Sequence, residues 1–143
     1  MRPAIVFGLL AAMCVPALAA EPVDTVRPFY QNIGMEYDPD SLVLFIEPAR
    51  AILEQDRRMA EEGDLCLGFL LAVDAQDYDE AEIAGSLELS QEVEGDEAEV
   101  LARFSNFGMP QAIIWRLRNE DGWKIADIGS DEGAWWLSEL GCE

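Results

Sequence analysis

Histidine is absent from this chain of 143 residues, and basic residues are scarce, with nine lysines and arginines against 29 acidic residues. Without histidine, the chain has neither a Ser-His nor a Cys-His nucleophile pair, and an ordinary zinc site would lack its nitrogen ligands. The sequence also contains no G-x-S-x-G elbow and no phosphate-binding glycine loop. These absences exclude the common hydrolase, nucleotide-binding and zinc classes, and we expect no cofactor. A small acid–base enzyme remains open.

The shortage of basic residues gives the chain a formal net charge of −20 at pH 7. Proteins that bind nucleic acid need a basic surface to neutralise phosphates, so this charge excludes a nucleic-acid partner. It also disfavours binding to an anionic membrane surface. The simplest interpretation is solubility outside the cytoplasm. The alternative is a specific cationic partner, with calcium as the ion to test.

Long apolar runs are confined to the first twenty residues. Arg2 supplies a minimal positive start, Ala4 to Val15 is apolar, and Ala17-Leu18-Ala19 fits the small-x-small cleavage pattern. The pattern predicts a signal peptide over residues 1–20, cleaved after Ala19 or Ala20.

The remaining residues, 21–143, are enough for a single domain with a sizeable core. No other segment approaches the roughly 20 consecutive apolar residues that a membrane span requires. We therefore expect a periplasmic or secreted protein, with no membrane insertion after signal cleavage. Lipidation at Cys14 and an uncleaved anchor are the alternatives.

Cleavage would leave only two thiols, Cys66 and Cys142. In an exported chain, a single pair of cysteines most simply forms a disulfide. Closing so long a loop would stabilise the fold by roughly 4 kcal/mol. The alternative is two buried, unpaired thiols.

The chain begins with helical patterns. Val26, Phe29 and Tyr30 lie on one helical stripe, but Pro28 falls inside it, so the helix either starts near Arg27 or is kinked.

Further helix signals follow. Asp38-Pro39 and Pro48 mark two more helix starts, and Gly63 an end. The apolar run from Leu65 to Val73 is predicted to be buried, as either helix or strand.

After Ala84 the period changes to two, which predicts four strands joined by short turns. Such strands form an antiparallel meander most economically. Leu101 breaks the otherwise polar face of the second strand. The residues from Ala134 to Leu140 suit a terminal helix or turn. We expect an α+β fold, with N-terminal helices packed on a curved antiparallel β-meander.

This order of elements resembles the cone-shaped NTF2-like (SnoaL-like) fold, and within it the chain is similar to exported bacterial proteins of unknown function of the DUF3828 type. The resemblance is carried by the following segments: Val26 to Tyr30, Asp74 to Asp77, Val100 to Pro110, and Trp123 to Ile128. It covers nearly the whole mature chain and implies a single NTF2-like domain. Members of this fold often pair through their sheets, so a homodimer is an option.

Some NTF2-like enzymes, such as ketosteroid isomerase and scytalone dehydratase, use pocket carboxylates, tyrosines or histidines. In this chain, alternation from Trp123 and Ile125 places Asp127 on the apolar face of the last strand, where its pKa would rise. Asp127 is therefore a candidate catalytic acid or base, and Tyr30 a candidate donor to an oxyanion. The alternatives are an ion pair or exposure for Asp127, and a core or rim position for Tyr30.

Two further sets of residues are candidates for binding. Asp74, Asp77 and Asp79 lie in the densest oxygen cluster and are weak candidates for a calcium site, although the EF-hand pattern fails. The alternative is a solvated acidic loop that caps a helix. Trp115 and Trp123 are candidates to line an apolar ligand cavity, and their alternative is the core.

We therefore expect an exported NTF2-like module that binds a small apolar ligand or an envelope protein partner. The alternative is a pocket acid–base enzyme, such as an isomerase or dehydratase, that uses Asp127. The fold alone does not decide between them, because one scaffold hosts enzymes and binding modules.

Overall fold

The computed structural model describes residues 20–142. The predicted signal peptide lies outside these residues, apart from Ala20. Among residues 20–142, no helix is long and apolar enough to cross a membrane.

Three α-helices precede the sheet. They are α1 (Pro22–Gln31), α2 (Ala49–Glu61) and α3 (Glu80–Ser86). Short 3₁₀ helices span Met35–Tyr37, Pro39–Leu44 and Leu137–Glu139. The strands are β1 (Glu88–Glu94), β2 (Glu97–Asn106), β3 (Met109–Asn119), β4 (Trp123–Ser130) and β5 (Trp135–Trp136). Every neighbouring pair is antiparallel, in the order β1-β2-β3-β4-β5. The fold is α+β with an antiparallel meander, as predicted, and the NTF2-like cone stays a prediction.

Helix α1 begins at Pro22 rather than near Arg27 and contains Pro28. The backbone N–H of Glu21 donates to the carboxylate of Asp24 at 2.9 Å, which satisfies a donor that precedes the first helical turn. Proline is well tolerated at the start of a helix, where its missing N–H would have no partner. These start signals outweigh the cost of Pro28.

One face of the sheet carries the core. Val100 on β2, Trp115 on β3 and Ile125 on β4 are fully buried, and α1 covers them with Val26 and Phe29. Burying each large apolar side chain contributes roughly 1.5–3 kcal/mol. The opposite face of the sheet is called the open face below.

Two local predictions differ from the structure. The segment Leu65 to Val73 forms turns, neither helix nor regular strand, and Leu65 is 78% exposed although Leu71 to Val73 are buried. At the other end, Trp135 and Trp136 form a short edge strand on β4, followed by a 3₁₀ helix. A short apolar run has no period of its own, so its conformation depends on what packs around it.

The disulfide prediction is confirmed. Cys66 and Cys142 are bonded, with their Cα atoms 5.1 Å apart. The side-chain amide of Gln55 on α2 also donates to the carbonyl oxygen of Cys142 at 3.1 Å. The C-terminal segment is thereby fixed against α2 and the loop that follows it.

Candidate functional site

Tyr30 and Trp115 meet inside the core. The indole Nε1 of Trp115 donates to the Tyr30 hydroxyl at 3.1 Å, and both side chains are buried. Phe29 packs on Trp115, with ring centroids 5.0 Å apart. Burial raises the pKa of Tyr30 far above its usual range, so its proton is firmly held. Tyr30 is a core residue in this structure, and its role as an oxyanion donor stays a prediction.

Trp115 is fully buried and Trp123 is half-buried against the core. The backbone carbonyl of Trp123 accepts a hydrogen bond from the Thr25 hydroxyl at 3.2 Å. Neither tryptophan lines any of the surface cavities of about 880, 270 and 250 Å³. Both pack as the core alternative expects, and their ligand-binding role stays a prediction.

Asp127 does not lie on the core face with Ile125, as the simple alternation predicts. Arg116 pairs with Asp127 while Leu117 pairs with Ile125, so Ala126 is one extra residue in β4. Such a bulge opposes two residues to one and resets which face the next side chain takes. Asp127 therefore shares the face of Arg116.

The Asp127 carboxylate is buried and fully engaged. Its Oδ1 accepts from the backbone N–H groups of Ile128 and Ser138, each at 3.0 Å, and its Oδ2 accepts from the Ser138 hydroxyl at 2.6 Å. These bonds hold the terminal 3₁₀ helix on β4 and account for a buried carboxylate without catalysis. A catalytic role for Asp127 stays a prediction.

The acidic segment supplies structural hydrogen bonds. Asp74 accepts from the Ser130 hydroxyl at 2.7 Å and from Trp135 Nε1 at 2.8 Å. Asp79 caps α3 through the backbone N–H of Glu82, and Asp77 accepts from the backbone N–H of Tyr78. Within residues 20–142, no three acidic or cysteine side chains are grouped so as to hold a metal ion. These contacts match the capping alternative, and the calcium site stays a prediction.

Glu36 is an ionisable residue that the sequence did not single out. It is 1% exposed, and its Oε1 accepts from the backbone N–H of Ala72 at 3.3 Å. Burial raises the pKa of Glu36, and nearby backbone N–H groups lower it in part. Glu36 borders a cavity of about 270 Å³ between the 3₁₀ helices and α2. The residues around it, Gly34-Met35-Glu36, form no pattern from which the burial of Glu36 could be predicted.

The open face carries two rows of side chains that run across the strands. In the first row Leu101, Ile114, Gly129 and Trp136 are successive partners on β2, β3, β4 and β5. Leu101, Ile114 and Trp136 are half-buried, so this row is an apolar band that helices do not cover. In a sheet with one covered face, the other face is ordinarily polar. The apolar band is therefore an exception on an otherwise polar face.

The second row is charged. Glu92, Glu99, Arg116 and Asp127 are successive partners on β1 to β4. Arg116 Nε lies 3.1 Å from Glu99 Oε2, and both side chains are about half exposed. The guanidinium of Arg116 also stacks on Trp136, 3.7 Å from the ring centroid. Arg116 is thus oriented by a carboxylate on one side and an aromatic ring on the other.

Gly129 lets Trp136 lie flat on the sheet. A Cβ atom at Gly129 would sit 2.5 Å from the Trp136 ring, well inside van der Waals contact. The glycine therefore allows the ring to cover β4 and support Arg116. Tryptophan and arginine are the residue types that most often dominate binding energy in protein interfaces.

Two cavities indent the open face. One of about 880 Å³ is lined by five carboxylates and the guanidinium groups of Arg116 and Arg118, and another of about 250 Å³ lies beside Leu101 and Ile114. The arrangement offers an apolar centre with a charged rim. This is the usual anatomy of a protein-binding surface.

The binding surface was not predicted, although the sequence contains one signal of it. Leu101 interrupts the polar face of its strand, and Ile114 shares the polar side of the next one. Their pairing requires the register of the hairpin, and the position of Trp136 requires the edge strand. Neither follows from alternation within one strand.

Comparison with known proteins bears on the fold. No family model matches the chain, and no curated protein matches it. A chain in the crystal structure of the type VI native effector–immunity complex Tae3–Tai3 from Ralstonia pickettii superposes with a TM-score of 0.56 at 17% identity. The match covers 77% of this chain and 91% of that chain. This chain shares the fold of a protein in that complex. The selenomethionine form of the complex gives a TM-score of 0.54 at 18% identity, with 77% and 92% covered.

Proposed function

We propose that this chain is an immunity-type protein that binds and neutralises a type VI effector in the cell envelope. The observation that carries the proposal is the fold shared with a chain of the Tae3–Tai3 effector–immunity complex over 91% of that chain. The disulfide supports an oxidising compartment, which suits the periplasmic or secreted location expected from the sequence.

The immunity role is preferred to the effector role on chemical grounds. The sequence has no histidine, and both cysteines of the expected mature chain are bonded to each other. A hydrolytic centre of the Ser-His or Cys-His kind therefore has no residues to build it. A protein that acts by binding needs only a complementary surface.

The open face suits such binding. The band of Leu101 and Ile114 supplies the apolar centre, and Arg116, which is stacked on Trp136, supplies an ordered charge at its rim. A partner of complementary shape would exclude water from this centre, where buried contacts contribute most of the affinity.

Native mass spectrometry of the full chain purified from its own envelope tests the proposal. We expect a one-to-one complex with a toxic envelope protein, and co-expression of the chain should protect cells from that protein. Recovery of the chain alone, with no protection against any envelope toxin of its cells, would remove the proposal.

A variant of the open face locates the contact. The double substitution Leu101→Glu with Ile114→Glu should weaken the complex by about a hundredfold or more, because it places charge in the apolar band. The matched control is Val43→Glu, at a residue 68% exposed on a 3₁₀ helix outside the apolar band. Circular dichroism would verify that each variant is folded.

A further inference from the structure

The turn between β2 and β3 presents an apolar tip. Phe107 and Gly108 form a two-residue connection, and Phe107 is 59% exposed while the adjacent Met109 is 63% exposed. The name "tip" is used below for Phe107, Gly108 and Met109. Two large apolar side chains at the end of a hairpin gain little from packing within their own chain.

Phe107 also has a backbone conformation that its side chain disfavours. Its φ is +50° and that of Gly108 is +74°, as in the hairpin turns for which Asn-Gly is preferred. The turn between β3 and β4 instead uses Asp121 and Gly122 at φ +57° and +101°, and aspartate tolerates this region well. A bulky residue in the left-handed region is an outlier, and such strain is concentrated at functional sites.

The tip is held rigidly from below. The buried Asn106 donates from Nδ2 to the carbonyl of Asp77 at 3.1 Å and accepts at Oδ1 from the N–H of Asp79 at 2.9 Å. The N–H of Gly108 donates to Glu82 Oε1 at 2.8 Å. These bonds fasten the hairpin end to α3 and the residues before it. A surface that is already ordered loses less entropy on binding.

The tip lies in an acidic part of the chain. The carboxylate of Glu82 contacts it directly at Gly108, and the backbones of Asp77 and Asp79 bind the adjacent Asn106. Between residues 74 and 108 the only basic residue is Arg103. A partner that covers the tip must therefore bring an apolar pocket and, around it, basic groups. Electrostatic complementarity of this kind speeds association and selects partners.

We propose that Phe107 and Met109 form an anchor that enters an apolar pocket with a basic rim on the protein partner. This inference rests on the proposed function and names a contact for the same partner, separate from the apolar band. The strained and exposed phenylalanine, the rigid support of the tip and the acidic surroundings each fit a docking element. Asparagine, and not phenylalanine, is the residue that this type of turn prefers at position 107.

The first test needs no partner. Phe107→Asn restores the preferred Asn-Gly pair, so the melting temperature should be unchanged or raised, by roughly 3 °C. A fall of similar size would overturn the inference, because it would show that Phe107 stabilises the monomer.

The second test uses the partner recovered with the wild-type chain. Phe107→Asn and Met109→Ala should each raise the Kd at least about thirtyfold, while Val43→Asn should leave the Kd within twofold. Wild-type binding with an unchanged Kd for Phe107→Asn would overturn the anchor and leave the proposed function intact. Recovery of no partner by the wild-type chain would remove the proposed function and the anchor with it.

Glu82→Gln isolates the charge. The substituted amide keeps an oxygen acceptor for the Gly108 N–H but removes the negative charge beside the tip. Its association rate should fall several-fold at low salt and converge with the wild-type rate at high salt. An association rate that is equal at all salt concentrations would contradict the basic rim.

Discussion

Asp74 and Trp135 are joined by a 2.8 Å hydrogen bond from the indole Nε1 to the carboxylate, across 61 positions of sequence. The other carboxylate oxygen accepts from the Ser130 hydroxyl, whose oxygen in turn accepts from the backbone N–H of Gly133. One side chain therefore secures the end of β4, the turn after it and the edge strand β5.

Replacing this carboxylate should destabilise the protein. Asp74→Asn tolerates the left-handed φ of +52° but loses an ionised acceptor, at a cost of about 1.5–3 kcal/mol. Urea denaturation would measure the loss, with Asp77→Asn as the control because Asp77 is exposed and its carboxylate accepts only from its neighbour Tyr78. Since the acidic residues have structural partners, we also expect melting curves with chelator and with millimolar calcium to coincide. A clear rise with calcium would restore the metal hypothesis.

Substitution of Asp127 distinguishes a structural role of its carboxylate from a catalytic one. Asp127→Asn keeps one oxygen for the Ile128 and Ser138 N–H groups but turns an amide donor toward the Ser138 hydroxyl. We expect a loss of about 1–3 kcal/mol in unfolding free energy. Ser138→Ala, which removes only the hydroxyl, should cost less. If the protein shows a catalytic activity that Asp127→Asn abolishes while the fold is retained, the enzyme alternative is favoured instead.

The regular parts of the fold could be predicted because they depend on local pattern. Alternation in β2 and β3, with short turns between strands, leaves the antiparallel meander as the economical arrangement. The disulfide was predictable because export and a single cysteine pair leave one choice. The start of helix α1 could not be predicted in the same way, since Pro28 alone suggests a late start or a kink, whereas the helix begins at Pro22.

The candidate surface could not be predicted, because it depends on register between strands. One extra residue, Ala126, moves Asp127 off the core face, and no residue type in β4 announces it. Likewise, Leu101 is visible as an exception to alternation, but its alignment with Ile114 and Trp136 appears only when the strands are paired. The exposure of Phe107 also requires the structure, since the same residues in sequence read simply as a turn.

The buried pair of Tyr30 and Trp115 should be sensitive to loss of one hydroxyl. Tyr30→Phe leaves the indole N–H of Trp115 without its acceptor at 3.1 Å, and an unsatisfied buried donor costs about 1–3 kcal/mol. Denaturant unfolding of Tyr30→Phe, Trp115→Phe and the double variant gives the coupling energy directly. Additive losses would show that the hydrogen bond contributes nothing beyond packing.

The disulfide should contribute through the unfolded chain. Cys66 and Cys142 are 76 positions apart, and closing a loop of that length is worth about 4 kcal/mol. Cys66→Ala with Cys142→Ala should lower the unfolding free energy by that order, and a reducing agent should destabilise the wild type but not the variant. Equal stability of the wild type under oxidising and reducing conditions would contradict this prediction.

Glu36 should make stability depend on pH. Burial raises its pKa in the folded protein above the value of about 4.3 that glutamate has in an unfolded chain. The folded state therefore binds the proton more tightly. The resulting stabilisation is full below the unfolded pKa and is lost as pH rises through the folded pKa. Glu36→Gln is uncharged throughout, so its stability relative to the wild type should increase as pH rises from 4 to 8.

Urea midpoints for the wild type and Glu36→Gln across this pH range check the prediction. The other ionisable groups are common to both proteins, so their effects cancel in the difference. Glu61→Gln, at an exposed residue of α2, is the matched control and should track the wild type. If the difference between the wild type and Glu36→Gln is constant from pH 4 to 8, Glu36 does not titrate with a raised pKa. Its carboxylate would then be ionised in the core, supported by the backbone N–H groups around it.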